Sequence, residues 1–209
     1  MAKTYNHLAG RGLERLAALS DGVFAIAMTL IVLEIHVPAR EEIHTEADLW
    51  RALLSLSPRI VTFLLSFLTL GIFWVGQQTQ FNQFERADRD LSWIHLAFLA
   101  MVCVMPFSTS LLAEFITFRL ALLGYWLTIV ILGAMLFASW KYAERAGLIK
   151  EDAPAGISDI MLRRIIIAQG LYAIGAALCI ISTYVSIAFI VLVQLNYAIA
   201  PRVKALWRL

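Results

Sequence analysis

RLAALSDGVFAIAMTLIVLEI, residues 15–35, decides the fold, because an apolar run suited to a membrane opens on an arginine, a serine and an aspartate. On a helical wheel at ~100° per residue, Gly22, Val23, Ile26, Thr29, Leu30, Leu33 and Val37 lie within about 60° of one line, and none is charged. Ser20 and Asp21 fall roughly 120 to 140° from it, so the carboxylate and the apolar stripe serve different surfaces. Leu13, Leu16, Ala17 and Leu19 already repeat with helical spacing, so the helix is expected to begin before Ser20. Pro38 predicts its end near Val37.

The rest of the chain matches this opening. Hydrophobic residues make up 61% of 209 and charged residues 15%, with a mean hydropathy of +0.78. A soluble domain carries ~25% charged residues, so the class is an all-α integral membrane protein. The spans are expected at about 20–37, 60–81, 91–113, 118–140, 164–182 and 185–200, within a single membrane domain over residues 1–209. Residues 39–59 read as an acidic segment with Glu41, Glu42, Glu46 and Asp48, and 141–163 as the one long polar loop. Pro106 should kink the third span, which a membrane helix tolerates.

No charge occurs from Ile165 to Ala200, more chain than one crossing of ~20 residues uses. The polar break Ser182 to Ser186 therefore reads as a turn between two short spans. Five spans with a long tilted last helix is the alternative. Six spans with a cytoplasmic N-terminus put Lys3, Arg11, Arg15, Arg86, Arg89, Lys141, Arg145, Lys150, Arg163, Arg164, Arg202, Lys204 and Arg208 inside. Only Arg40, Arg51, Arg59 and Arg119 fall outside. That asymmetry favours six spans with both termini in the cytoplasm. Without a small-x-small cleavage site, the first run reads as a span and not a signal peptide.

Several classes find no support. Cys103 and Cys179 sit in apolar runs and read as small hydrophobes. His7, His36, His44 and His95 are too scattered for a metal site, and no phosphate loop or nucleophile with a base is present. The expectation is no enzyme, no cofactor, no resident metal and no nucleic-acid partner. A Thr-Val-Gly-Tyr-Gly filter is also missing from the sequence.

Arg15-x-x-x-Leu19-Ser20-Asp21-Gly22, followed by Phe24-Ala25-Ile26 and Thr29-Leu30-x-x-Leu33-Glu34-Ile35, resembles the signature of the prokaryotic relatives of transmembrane protein 175, a potassium-channel family. The likeness continues in Ser66-Phe67 with Trp74, in Leu91-x-Trp93-x-x-Leu96-x-Phe98-Leu99 and in Pro106-Phe107-x-Thr109. Leu19 stands where the family has Phe, Gln77-Gln78 where its second helix often has His-His, and His95 where Asn is usual. The resemblance implies six transmembrane helices per subunit, a homotetramer in the plasma membrane, and a central potassium pathway lined by the first helix. Potassium ions and membrane lipid are then the partners.

On that footing the pore and gate candidates are Ile26, Thr29, Leu30 and Leu33, with Ile26 implied at the narrowest point and Glu34 flanking the outer mouth. Arg15, Ser20, Asp21, Trp74 and His95 form the structural set. Ser20 and Asp21 read alternatively as caps of first-turn amides. A carboxylate so near lipid calls for partners on other helices, with Trp74, Gln77, Gln78 and His95 as candidates; His95 reads equally as a satisfied packing residue. Thr29 reads alternatively as bonding back to the Ala25 carbonyl. A secondary transporter coupling through Asp21 and Arg15, or a non-conducting scaffold, are the competing functions.

Overall fold

The first helix starts well before the aspartate. In a computed structural model, which describes residues 12–40 and 43–199, α1 spans Leu13–Leu30 and tightens into a 3-10 turn over Ile31–Glu34. It ends short of the expected Val37, because the chain turns extended at Ile35 before Pro38 can set the limit. After it come α2 (Glu46–Ser55), α3 (Ser57–Gln83), α4 (Arg89–Glu114), α5 (Arg119–Arg145), α6 (Ile157–Ala177, with a 3-10 turn at Leu178–Ile180) and α7 (Thr183–Ile199). The protein is all-helical and multi-pass. Five helices are long and apolar enough to cross a membrane, namely α1 and α3 to α6, and α7 is a shorter apolar helix.

Two boundaries differ from the sequence reading. The stretch 39–59 contains a helix, because Thr45 and Asp48 form a capping box: the Asp48 amide donates to Thr45 Oγ1 at 3.1 Å and the Thr45 amide to Asp48 Oδ2 at 2.9 Å. The Thr45 hydroxyl, donating to Asp48, also holds that carboxyl below the usual carboxylate range. Leu49, Trp50, Leu53 and Leu54 of α2 remain exposed, as suits a helix lying along a membrane surface.

The loop expected over 141–163 contracts to 146–156. Helix α5 runs on to Arg145, and Gly147 takes the left-handed φ of 63° that commonly ends a helix. This connection is tied to the end of α3 by Glu85 N to Leu148 O and Lys150 N to Gln83 O, each at 2.9 Å. Of the cations used for orientation, Lys3, Arg11, Arg202, Lys204 and Arg208 lie outside the described residues, as do Glu41, Glu42 and His7.

Because lipid is as apolar as leucine, close packing and hydrogen bonds between helices hold such a bundle together. Helices α4 and α5 form the most extensive pair, α1 lies against α4 and α3, and α7 against α6 and α3. Phe98 on α4 sits between Phe24 of α1 and Phe73 of α3, with ring centroids at 5.9 and 6.4 Å. A buried hydroxyl cluster joins four helices around Tyr125 of α5. Its phenol meets Thr69 at 2.8 Å and Ser66 at 3.3 Å on α3, while Thr109 of α4 donates to Ser66 at 2.7 Å and Gln194 of α7 to Thr69 at 2.6 Å.

Gly175 lets α6 and α7 meet. A Cβ there would stand 2.7 Å from Cγ1 of the fully buried Ile190, and Ser186 donates to the Gly175 carbonyl. Gly175→Ala should therefore destabilise the fold by about 1–3 kcal/mol through overpacking, read as a lower melting temperature in detergent. Unchanged melting would mean that the α6–α7 crossing yields without cost.

Candidate functional site

Helix α1 divides cleanly into two faces. Ser20, Phe24, Ala27 and Ile31 are buried, and their spacing of three and four residues makes one stripe against α3 and α4. Ile26, Leu30 and Leu33 are exposed at 61%, 45% and 66%, and Gly22, Thr29 and Val37 are exposed with them. Apolar residues thus face outward along the line identified from the sequence. Thr29 Oγ1 donates to the carbonyl of Ile26 at 2.8 Å, one residue on from the expected Ala25; a helical Thr can use either the i−3 or the i−4 carbonyl. A hollow of about 100 Å³, lined by Val23, Ile26, Ala27, Leu30, Cys103 and Pro106, lies beside Ile26 between α1 and α4.

The motif residues lock the other end of α1. Ser20 and Asp21 cap nothing, since the helix opens at Leu13 after Gly12. Asp21 Oδ1 accepts from Trp74 Nε1 and from Gln78 Nε2 of α3, both at 2.8 Å. Those two donors are one turn apart on α3, so a single carboxylate oxygen bridges the rung.

Ser20 points the other way, into the bundle. Its hydroxyl donates to Leu16 O at 2.9 Å and accepts from Gln77 Nε2 at 3.1 Å; the same Nε2 lies 3.3 Å from His95 Nδ1. With Nδ1 accepting, the imidazole proton belongs on Nε2, 3.1 Å from Ser139 Oγ. Buried His95 packs at 4.6 Å against Phe81 with the rings tilted and meets Phe98 edge-on. It makes no bond to Asp21, so the expected structural set splits into two groups: Asp21, Trp74 and Gln78 at the surface, and Ser20, Gln77, His95 and Ser139 inside. Arg15 joins neither. It is exposed and makes no ion pair among the described residues.

At the far end, Arg59 of α3 acts as a clamp. It donates from Nη1 to the Glu34 carbonyl at 3.0 Å, with His36 Nδ1 at 3.3 Å, and from Nη2 to Glu114 of α4 at 2.8 Å. The sequence alone assigns Arg59 only to the outer side and gives Glu114 and Ser139 no role. For Ser139 the signal was present, a lone hydroxyl at the end of an apolar span, whereas the pairing of Arg59 with Glu114 crosses 55 residues and has no local trace. Among the described residues there is no group of three His, Cys, Asp or Glu side chains placed to hold a metal.

Residues 15–106, which carry nearly all of this constellation, match the family model described as endosomal/lysosomal potassium channel TMEM175. A potassium channel of Chamaesiphon minutus is 34% identical over 192 residues, covering 88% of this chain and 93% of that one. The chain belongs to the TMEM175 family. A second relative, a potassium channel of Streptomyces collinus, is 36% identical over 148 residues, or 68% of this chain and 70% of the relative. The crystal structure of a lysosomal potassium-selective channel TMEM175 homolog from Chamaesiphon minutus superposes with a TM-score of 0.77 at 30% identity, covering 91% of this chain and 98% of that one. TMEM175 is thus a family of ion channels and not of enzymes. The matched segment ends at Pro106, so Ser139 and Glu114 fall outside it.

Proposed function

We propose that the chain is the subunit of a potassium-permeable cation channel in the plasma membrane, a homotetramer in which four copies of α1 line a central pathway. The carrying observation is the exposed stripe of Gly22, Ile26, Thr29, Leu30 and Leu33 along α1, apolar apart from Thr29, on a helix whose opposite face is buried. Four such faces around one axis exclude lipid from the exposed stripe and leave a narrow, mostly apolar conduit. Ile26, with Leu33 beyond it, makes rings of branched side chains that close by dewetting, while Leu30 flanks the axis on the other side from Thr29.

Six spans with cytoplasmic termini are supported by the charge asymmetry and by α7. That helix, at 17 residues, is ~25 Å long, little short of the ~30 Å hydrocarbon core, and it carries no charge. Arg15, exposed on the cytoplasmic extension of α1, then faces the bilayer boundary, where anionic headgroups or a neighbouring subunit meet it. Steady voltage-driven potassium flux through purified protein in liposomes tests the proposal. Strictly coupled exchange would make it a transporter, and silence a scaffold.

Thr29 supports cation preference. Its proton is committed to the Ile26 carbonyl, which leaves the oxygen lone pairs for a partly hydrated ion. Thr29→Val keeps the shape and removes that oxygen, so potassium-over-sodium permeability should fall about fivefold, on the scale of one ~1 kcal/mol contact. Reversal potentials in mixed potassium and sodium measure it, and an unchanged ratio confines Thr29 to its backbone bond.

A further inference from the structure

A cavity of about 630 Å³ opens between α3, α5, α6 and α7, within the range of ligand pockets. Helix α1 contributes Met28 and neither Ile26 nor Thr29, so the cavity lies behind the face assigned to the ion pathway. Its two ends differ in chemistry. Gln80 and Arg164 stand at the end near the close of α3 and the start of α6, and Gln169, Phe67, Leu68 and Ile72 stand toward the middle of the bundle.

The polar groups are not fully satisfied. Gln80 and, ~10 Å deeper, Gln169 donate to the α5 carbonyls of Leu136 and Ile129 at 3.0 and 3.3 Å, yet each keeps a buried amide oxygen without a partner. Arg164 is exposed and has no carboxylate partner among the described residues. It follows the start of α6 at Ile157 by ~10 Å of helix, within snorkelling reach of the membrane boundary. The apolar end is held open by Gly71, where an added Cβ meets no atom within 4 Å. Met161 to Tyr172 of α6 line the space, ~16 Å along the helix axis.

A fixed cation near the boundary, a hydrogen-bonding group beside it and a mostly apolar slot running toward mid-membrane reproduce the profile of one membrane lipid. We propose that this cavity holds an acyl chain of an anionic glycerophospholipid, with the phosphate against Arg164, the hydrated ester region near Gln80, and the chain passing Gln169 to lie beside Gly71. One basic residue at a membrane surface is worth about fivefold in favour of an anionic over a zwitterionic lipid.

Native mass spectrometry on the full chain, incubated with equal amounts of phosphatidylglycerol and phosphatidylcholine of the same chains, reads the result directly and apart from conduction. The unsubstituted protein should retain one phosphatidylglycerol per subunit with about fivefold preference. Arg164→Gln should equalise the two lipids. Gly71→Leu, which extends a side chain into the open space, should lower retention of both, and Ala168→Phe, filling the same space from α6, is the independent second variant. Retention unchanged in both filling variants overturns the proposal, whatever Arg164→Gln does, as does an unsubstituted chain that holds neither lipid.

Discussion

Ile26→Asn is expected to raise basal potassium current about tenfold or more, with the tetramer intact. Each isoleucine side chain carries ~1.5–3 kcal/mol of aversion to water, and four of them at one level set the cost of wetting the ring; every ~1.4 kcal/mol removed is a factor of ten. Asn at the same position has similar reach and offers both a donor and an acceptor to water. Ile26 is 61% exposed, so the substitution leaves no hole in the bundle. Single-channel recording decides the matter: open probability and conductance equal to the unsubstituted protein would place the constriction at Leu33 or take α1 away from the pathway.

Asp21→Ala should act on assembly and not on ion preference. It deprives Trp74 Nε1 and Gln78 Nε2 of the one oxygen that accepts from both. Hydrogen bonds to a charged acceptor are worth ~1.5–3 kcal/mol each; exposure of Asp21 argues for the lower end, about 3 kcal/mol per subunit for the two. By the scale of globular domains of this length that is a melting shift of about 6–12 °C, with a larger monomer fraction in mild detergent. Asp21→Asn, which keeps an acceptor oxygen, should fall between. Normal assembly combined with altered potassium-over-sodium selectivity would move Asp21 into the conduction path.

What the sequence made legible follows from the range of the interactions. The two faces of α1 were readable because helical periodicity is local, and Ile26 and Phe24 lie where the wheel separates them. That Asp21 would need partners on other helices is readable from the cost of an unpaired carboxylate near lipid, with Trp74, Gln77, Gln78 and His95 as the polar groups available. How Ser20 and Asp21 would divide those partners was not, because Gln77 and Gln78 are neighbours whose side chains leave α3 in directions ~100° apart. Helix α2 lies within the stretch that reads as an acidic segment, although Thr45 and Asp48 spell a capping box, because its acidic residues mask the short helical signal. The clamp of Arg59 on Glu114 depends on how α3 and α4 align along their axes, which no single stretch encodes.

That clamp has a kinetic consequence. Helix α1 is pinned to α3 at both ends, by Asp21 and Ser20 at one and by the Glu34 carbonyl on Arg59 at the other. A rigid swing of the whole helix would have to break both attachments, and such collective movements belong to the microsecond-to-millisecond range. The residues between the pins are left with torsion about the helix axis and with side-chain rotation, for which the hollow beside Ile26 leaves room. Rotamer exchange runs in picoseconds to nanoseconds when unhindered. With the constriction proposed at Ile26, flicker and slow changes of activity are expected to have separate physical origins along one helix, the first in the freedom of Ile26 and the second in the release of Arg59 or Asp21.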